Sequence, residues 1–152
     1  MLKHPKELGF TLGLTIRISV PASIVATPDA TARDVVYVAL LAGNRKTIKK
    51  GDALRVGQTK RSLKSRWKGI AGIFSRDNLR DFEMEDRRKL LAEANGKEVA
   101  VWVKAAGKTT IPYAKGLTRS NRFSTRCAEE EFLDQYYQPK LGIRLNKRSD
   151  AR

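Results

Sequence analysis

A chain of 152 residues, 41% of them hydrophobic, is long enough for one domain with a substantial core and too apolar to be disordered throughout. Its 31 Lys and Arg against 16 Asp and Glu leave a net charge of +15, a self-repulsion that points to a polyanionic partner, nucleic acid first and an anionic membrane surface second. The single cysteine, Cys127, and single histidine, His4, exclude a zinc cluster of those residue types and an internal disulfide, argue against a histidine-based triad, and fit a reducing cytoplasm. Cys127 has no histidine nearby in sequence to activate it and is expected to pack as a small apolar residue. No apolar run is long enough for a bilayer, no basic helix has the strongly amphipathic interfacial pattern, and no apolar segment follows the basic N-terminus. Neither a membrane partner nor a signal peptide is therefore expected.

In chain order, residues 1–7 read as a loose basic lead-in. From Gly9 to Val20 the pattern alternates, with Phe10, Leu12, Leu14, Ile16, Ile18 and Val20 on one face of a half-buried strand. Two prolines punctuate a connector over 21–32. Val35 to Leu41 is nearly all apolar and β-branched, as a strand buried on both faces would be, with Tyr37 as its one polar-tipped member. A charged hairpin loop, 43–52, leads to a return strand at 53–56 that Gly57 ends. Ser62 is placed to cap a helix whose apolar stripe is Leu63, Trp67, Ile70 and Phe74. Asp77 or Asn78 caps a second helix, which carries acids in its first turns and stops at Asn95-Gly96. Val99 to Val103 is a further strand. Residues 105–128 contain no acid and form a long loop, which in a compact domain is usually functional or disordered. The last helix is expected over 125–137, with Ala128, Phe132 and Tyr136 inward and Pro139 as its stop.

Three basic groups stand out. Arg45, Lys46, Lys49 and Lys50 lie in the hairpin loop. Lys60, Arg61, Lys64, Arg66 and Lys68 open the first helix, and Lys108, Lys115, Arg119, Arg122 and Arg126 recur through the acid-free stretch. Charge runs are usually solvated surface. From Arg45 to Arg76, however, eleven Lys or Arg stand against the single acid Asp52, which favours a phosphate-binding face that would hold a nucleic acid without reading its sequence. Glu129, Glu130 and Glu131 open the last helix, where negative charge is favourable in itself. One of them could also hold a hard divalent cation beside a phosphate.

The order of these pieces resembles the GIY-YIG nuclease superfamily. The chain has V-V-Y ending at Tyr37, R-V-G-Q-T from Arg55 to Thr59, L-K-S-R from Leu63 to Arg66, E-E-F-L-D-Q-Y-Y-Q-P from Glu130 to Pro139, and Asn146 beyond. The last block is similar to the N-terminal nuclease domain of the bacterial excision-repair incision subunit, and that register selects Glu130 over its neighbours. The resemblance implies an α/β (α+β) fold, a small central, mostly antiparallel sheet flanked by helices. It divides the chain into a strand-and-connector extension (1–33), a nuclease-like domain (34–147) with a basic insertion loop (105–126), and a basic tail (148–152).

The resemblance also implies a metal-dependent DNA endonuclease. Glu130 would hold one Mg²⁺ or Mn²⁺, Arg66 would pair with phosphate oxygens, and Tyr37 would orient or deprotonate the attacking water. Gly57 would let the backbone pass close to the site, and Asn146 would support the metal shell or the fold. Arg55 stands where the family has its second tyrosine, Ile70 where a histidine is frequent, and one extra residue separates Gly57 from the L-x-x-R. Arg55 shares a strand face with Gly57, so it would favour the Tyr37 phenolate or bind phosphate directly. The expected partner is double-stranded or branched DNA in the cytoplasm, at the nucleoid, and a lone site would need a homodimer to cut both strands in one visit. Two other readings stand beside this one: a silent DNA-binding module on the same scaffold, and a basic RNA- or ribosome-associated protein whose motif matches are chance.

Overall fold

The β-branched run Val35–Leu41 forms β3 and sits inside a five-stranded antiparallel sheet. The structure, a computed structural model, describes residues 2–43, 48–107 and 125–141. The other strands are β1 (Thr11–Arg17), β2 (Ser23–Ala26), β4 (Ala53–Thr59) and β5 (Glu98–Ala105), and the spatial order is β2-β1-β5-β3-β4. β3 and β4 are buried along almost their whole length, as their composition requires. The α+β class expected from the sequence is the class observed.

Alternation along β3 divides the interior into two cores. Val35, Tyr37 and Ala39 face one, built with Leu63, Trp67 and Ile70 of helix α1 (Leu63–Gly72) and with Leu90 and Ala94 of helix α2 (Asp81–Ala94). Val36, Val38 and Leu40 face the other, built with Phe132, Leu133 and Tyr137 of helix α3 (Thr125–Tyr137). Ser62 caps α1 as expected, its Oγ accepting the Ser65 N–H at 3.1 Å. Phe74 is buried as predicted but lies just past the end of the helix. α2 starts later than Asp77 or Asn78 suggests. Its first residue is Asp81, and Glu83 secures the start by accepting the Arg80 N–H at 3.0 Å. Gly96, at φ 74°, ends it where the sequence indicates.

Four expectations need correction. β1 does not keep one apolar face, because a bulge at Gly13 shifts its register between Leu12 and Leu14. Phe10 therefore enters the α3 core, Leu14, Ile16 and Ile18 enter the α1 core, and Val20 is left 55% exposed. The connector after it contains the edge strand β2, paired with β1, so the N-terminal segment is part of the main sheet. β4 continues past Gly57 to Thr59. The lead-in is ordered: Pro5–Leu8 makes a 3₁₀ turn, and Leu2 bridges to Ile48.

Gly13 also leaves room for α1. A Cβ there would collide with Leu63 Cδ2 and would stand 3.0 Å from Val103 Cγ1 and 3.3 Å from the Val101 carbonyl oxygen. Gly13→Ala should lower the unfolding free energy by about 1–3 kcal/mol, read from urea midpoints, through overpacking. The cost should shrink in a Leu63→Ala background, because the cavity accepts the new methyl group.

Candidate active site at the edge strand

Tyr37 pairs with Gly57 across β3 and β4, and both belong to the sheet face that α1 covers. The Tyr37 ring lies over Gly57. A Cβ on residue 57 would fall inside the ring's Oη and Cζ and only 2.8 Å from Cε1. Trp67 meets the same ring edge-on, at 5.7 Å between centroids and 73° between planes. Tyr37 is fully buried, and its Oη has no hydrogen-bond partner among the described residues. Such an orphaned hydroxyl is costly in a core and common where a substrate group completes the bond.

Arg55 pairs with Ala39, next to the Tyr37–Gly57 pair on the same face. It is 3% exposed, and its Nε likewise has no partner among the described residues. A guanidinium this buried needs an anion or full hydrogen bonding to offset its desolvation. Arg66 is half-buried in the first turns of α1, on the same side of the sheet. The structure thus brings Tyr37, Gly57, Arg55 and Arg66 to one side of β3 and β4.

Glu130 comes from the other side. α3 packs on the opposite face, where Arg126 Nε donates to Gln58, whose strand neighbour Val36 lies in the α3 core. Glu130 follows Arg126 by one turn and is 2% exposed, facing the sheet near β4. Its neighbour Glu129 is equally buried and accepts the Gly107 N–H at 2.5 Å. Burial pushes the Glu129 carboxyl up from the ordinary glutamate range, against the pull of that hydrogen bond and of Lys104. Of the expected stripe, Phe132 is buried in the α3 core, Tyr136 packs half-buried against it and Ala128 is half-buried, while the buried face extends further to Glu129, Glu130, Leu133 and Tyr137.

The two sides meet at the outer edge of β4. The Tyr37 ring reaches across Gly57 toward that edge, and α3 packs more against β4 than against β3. Beyond α3 the Lys140 N–H donates to the Ala53 carbonyl and the Leu141 N–H to the Leu54 carbonyl, both at 3.0 Å. Leu141 packs into the α1 core, so the chain passes from the α3 face to the Tyr37 face around β4.

Of the expected basic contacts, Lys49, Lys50, Lys60, Arg61 and Lys64 are exposed around the two ends of β4 and the start of α1. Arg126 is turned inward. Its guanidinium is 15% exposed, bonded to Gln58 and paired with Asp34 at 2.8 Å, which suits a structural tie better than a phosphate contact. Arg45, Lys46, Lys108, Lys115, Arg119, Arg122 and Asn146 lie outside the described residues. Gln58 and Asp34 are polar members that sequence reasoning passed over, and Glu129 is one it named and set aside in favour of Glu130. Strand alternation could have placed Gln58 opposite Gly57, whereas only tertiary packing buries Glu129. Among the described residues no three of His, Cys, Asp and Glu cluster closely enough to hold a metal ion. No described helix is long and apolar enough to cross a membrane.

Comparison with protein-family models, with curated proteins and with solved structures returned no match to this chain.

The packing separates two roles of residue 37. Tyr37→Phe should leave the urea midpoint within about 0.5 kcal/mol of wild type, because the lost hydroxyl has no partner. Gly57→Ala should cost about 3 kcal/mol or more, because the ring has nowhere to move without displacing Trp67.

Proposed function

We propose that this chain is a metal-dependent endonuclease that hydrolyses phosphodiester bonds in DNA on the GIY-YIG plan. The observation that carries the reading is the Tyr37 ring held over Gly57, its hydroxyl unpartnered among the described residues, beside the buried Arg55. A core gains nothing from an orphaned hydroxyl and a buried guanidinium on one sheet face, whereas an anionic substrate would satisfy both groups. The element order supports the same plan: tyrosine strand, glycine strand, arginine helix and, later, glutamate helix.

In this scheme Tyr37 Oη orients or deprotonates the attacking water, and Arg55, on the same sheet face, binds a phosphate oxygen. Arg66 binds the non-bridging phosphate oxygens and stabilises the charge that grows on them. Exposed Lys49, Lys50, Lys60, Arg61 and Lys64 hold the backbone to either side. Glu130 offers a hard carboxylate oxygen. Mg²⁺ is commonly held by one or two carboxylates with phosphate oxygens and water in the remaining positions, so a single glutamate is a fitting donor set. When bound there, the cation would neutralise charge on the scissile phosphate and its leaving oxygen. The lone cysteine agrees with a cytoplasmic enzyme.

A second reading, a DNA-binding module without cleavage, is favoured by how closed the site is: Tyr37 is 0% and Glu130 2% exposed, and they approach from opposite faces. Plasmid nicking in Mg²⁺ or Mn²⁺ decides between the two. The wild type should nick, and Glu130→Ala and Tyr37→Phe should each fall at least about 100-fold without losing DNA affinity. Lys60→Ala and Lys64→Ala should instead weaken binding and each lower the salt slope by about one. Binding without cleavage of any duplex, branched or single-stranded substrate would establish the silent module. A preference for RNA with no DNA binding would remove both.

A further inference from the structure

The two edges of the sheet differ in character. At the β4 edge, exposed Lys49, Lys50, Lys60 and Arg61 flank the strand, and Lys140 and Leu141 already occupy its outer backbone at Ala53 and Leu54. At the other edge, β2 pairs among the described residues only with β1, and the outward backbone groups of Ser23–Ala26 have no strand partner there, so they are open to an added strand.

Natural edges are blunted by charged side chains, an internal proline, a bulge or a covering element. β2 reads Ser-Ile-Val-Ala, and its register with β1 runs without interruption from Ser23 to Ala26. Its one protection is its length of four residues. Val25 is 72% and Val20 55% exposed, two of the three large hydrophobic side chains exposed among the described residues. From 18 to 32 there is no Lys or Arg, in a chain where 31 of 152 residues are basic.

We propose that β2 is a self-association edge: two copies of this chain pair β2 with β2 in antiparallel fashion, joining their sheets across a two-fold axis. The occupant follows from charge. Two bodies of +15 each repel over most of their surface and can approach closely only where basic residues are missing. A polyanion finds no cation between 18 and 32, and the one cation opposite β2 in β1, Arg17 across from Ser23, is already paired with Glu98 at 2.9 Å. An antiparallel strand pair about a two-fold axis is self-complementary, because each copy presents the same row of donors and acceptors. The pleat then sets the two Val25 side chains, or the two Ile24 side chains, beside each other on one face. A four-residue strand gives a small interface, so the association is weak and concentration-dependent. The inference stands apart from the nuclease reading, since it uses neither Tyr37 nor Glu130.

The test is sedimentation velocity of the full chain over a concentration series, at low and at high salt. A monomer–dimer equilibrium is expected that strengthens with salt, as repulsion is screened, opposite in sign to the salt dependence of nucleic-acid binding. Val25→Lys should weaken it at least tenfold by placing like charges at the axis, with an unchanged circular dichroism spectrum. Ser23→Lys, at another exposed position of β2, should act the same way and serves if the first variant misfolds. Val25→Thr and Met84→Lys should dimerise like wild type, the latter because it removes an exposed hydrophobic residue of α2 and leaves the β2 edge untouched. A wild type that stays monomeric throughout overturns the proposal. So does a dimer indifferent to both β2 lysines, or one that Met84→Lys weakens equally.

Discussion

The Tyr37 ring occupies the space that any side chain on residue 57 would need. That exclusion organises the centre of the molecule. It requires glycine in the middle of an otherwise buried strand, where glycine is unfavourable on propensity alone. It turns the ring across β4, and Trp67 closes against it, which fixes the distance at which α1 rides over the sheet. The bulge between Ala39 and Leu40 then allows Leu54 and Arg55 both to reach the α1 side, so Arg55 shares the face of the ring.

The opposite face is built on a different principle. Its core is apolar around Phe132, Leu133 and Tyr137, but the first turns of α3 bring Arg126, Glu129 and Glu130 against Gln58 and the end of β5. Buried carboxylates are expensive unless hydrogen-bonded, and the Gly107 N–H supplies part of that need for Glu129. The sheet is thus a partition, with Tyr37, Arg55 and Arg66 on one side and Arg126, Glu129 and Glu130 on the other. β4, at its rim, is the strand that both sides share.

Much of this was legible from residue pattern. The continuous apolar run of β3, the Ser62 cap, the stop at Gly96 and the span of α3 all rest on local chemistry, and local chemistry decided them. The misses have physical causes. A glycine bulge is invisible to an alternation count, so β1 reads as one face although it serves two cores. β2 is a short strand between two prolines and reads as a connector, because its pairing is supplied from elsewhere in the chain. The buried face of α3 is wider than its apolar stripe because glutamate is counted as polar, and only tertiary packing turns Glu129 and Glu130 inward. Of the site, the Tyr37, Gly57 and Arg55 face follows from strand alternation. That Glu130 lies behind the sheet from them does not follow from spacing, which says nothing of the face a distant helix will cover.

The N-terminal segment is ordered for a reason that bears on α3. The Lys3 N–H donates to Tyr136 Oη at 2.8 Å, and Tyr137 Oη donates to the Lys3 carbonyl at 2.7 Å, while His4 stands edge-on against Trp102. The last turn of α3 is therefore latched by residues at the very start of the chain. A change in the backbone at Lys3 therefore touches the helix that carries Glu130. Lys3 thus fastens α3 across a separation of 133 and 134 positions, so a helix far along the sequence is closed by a residue that precedes the sheet's first strand.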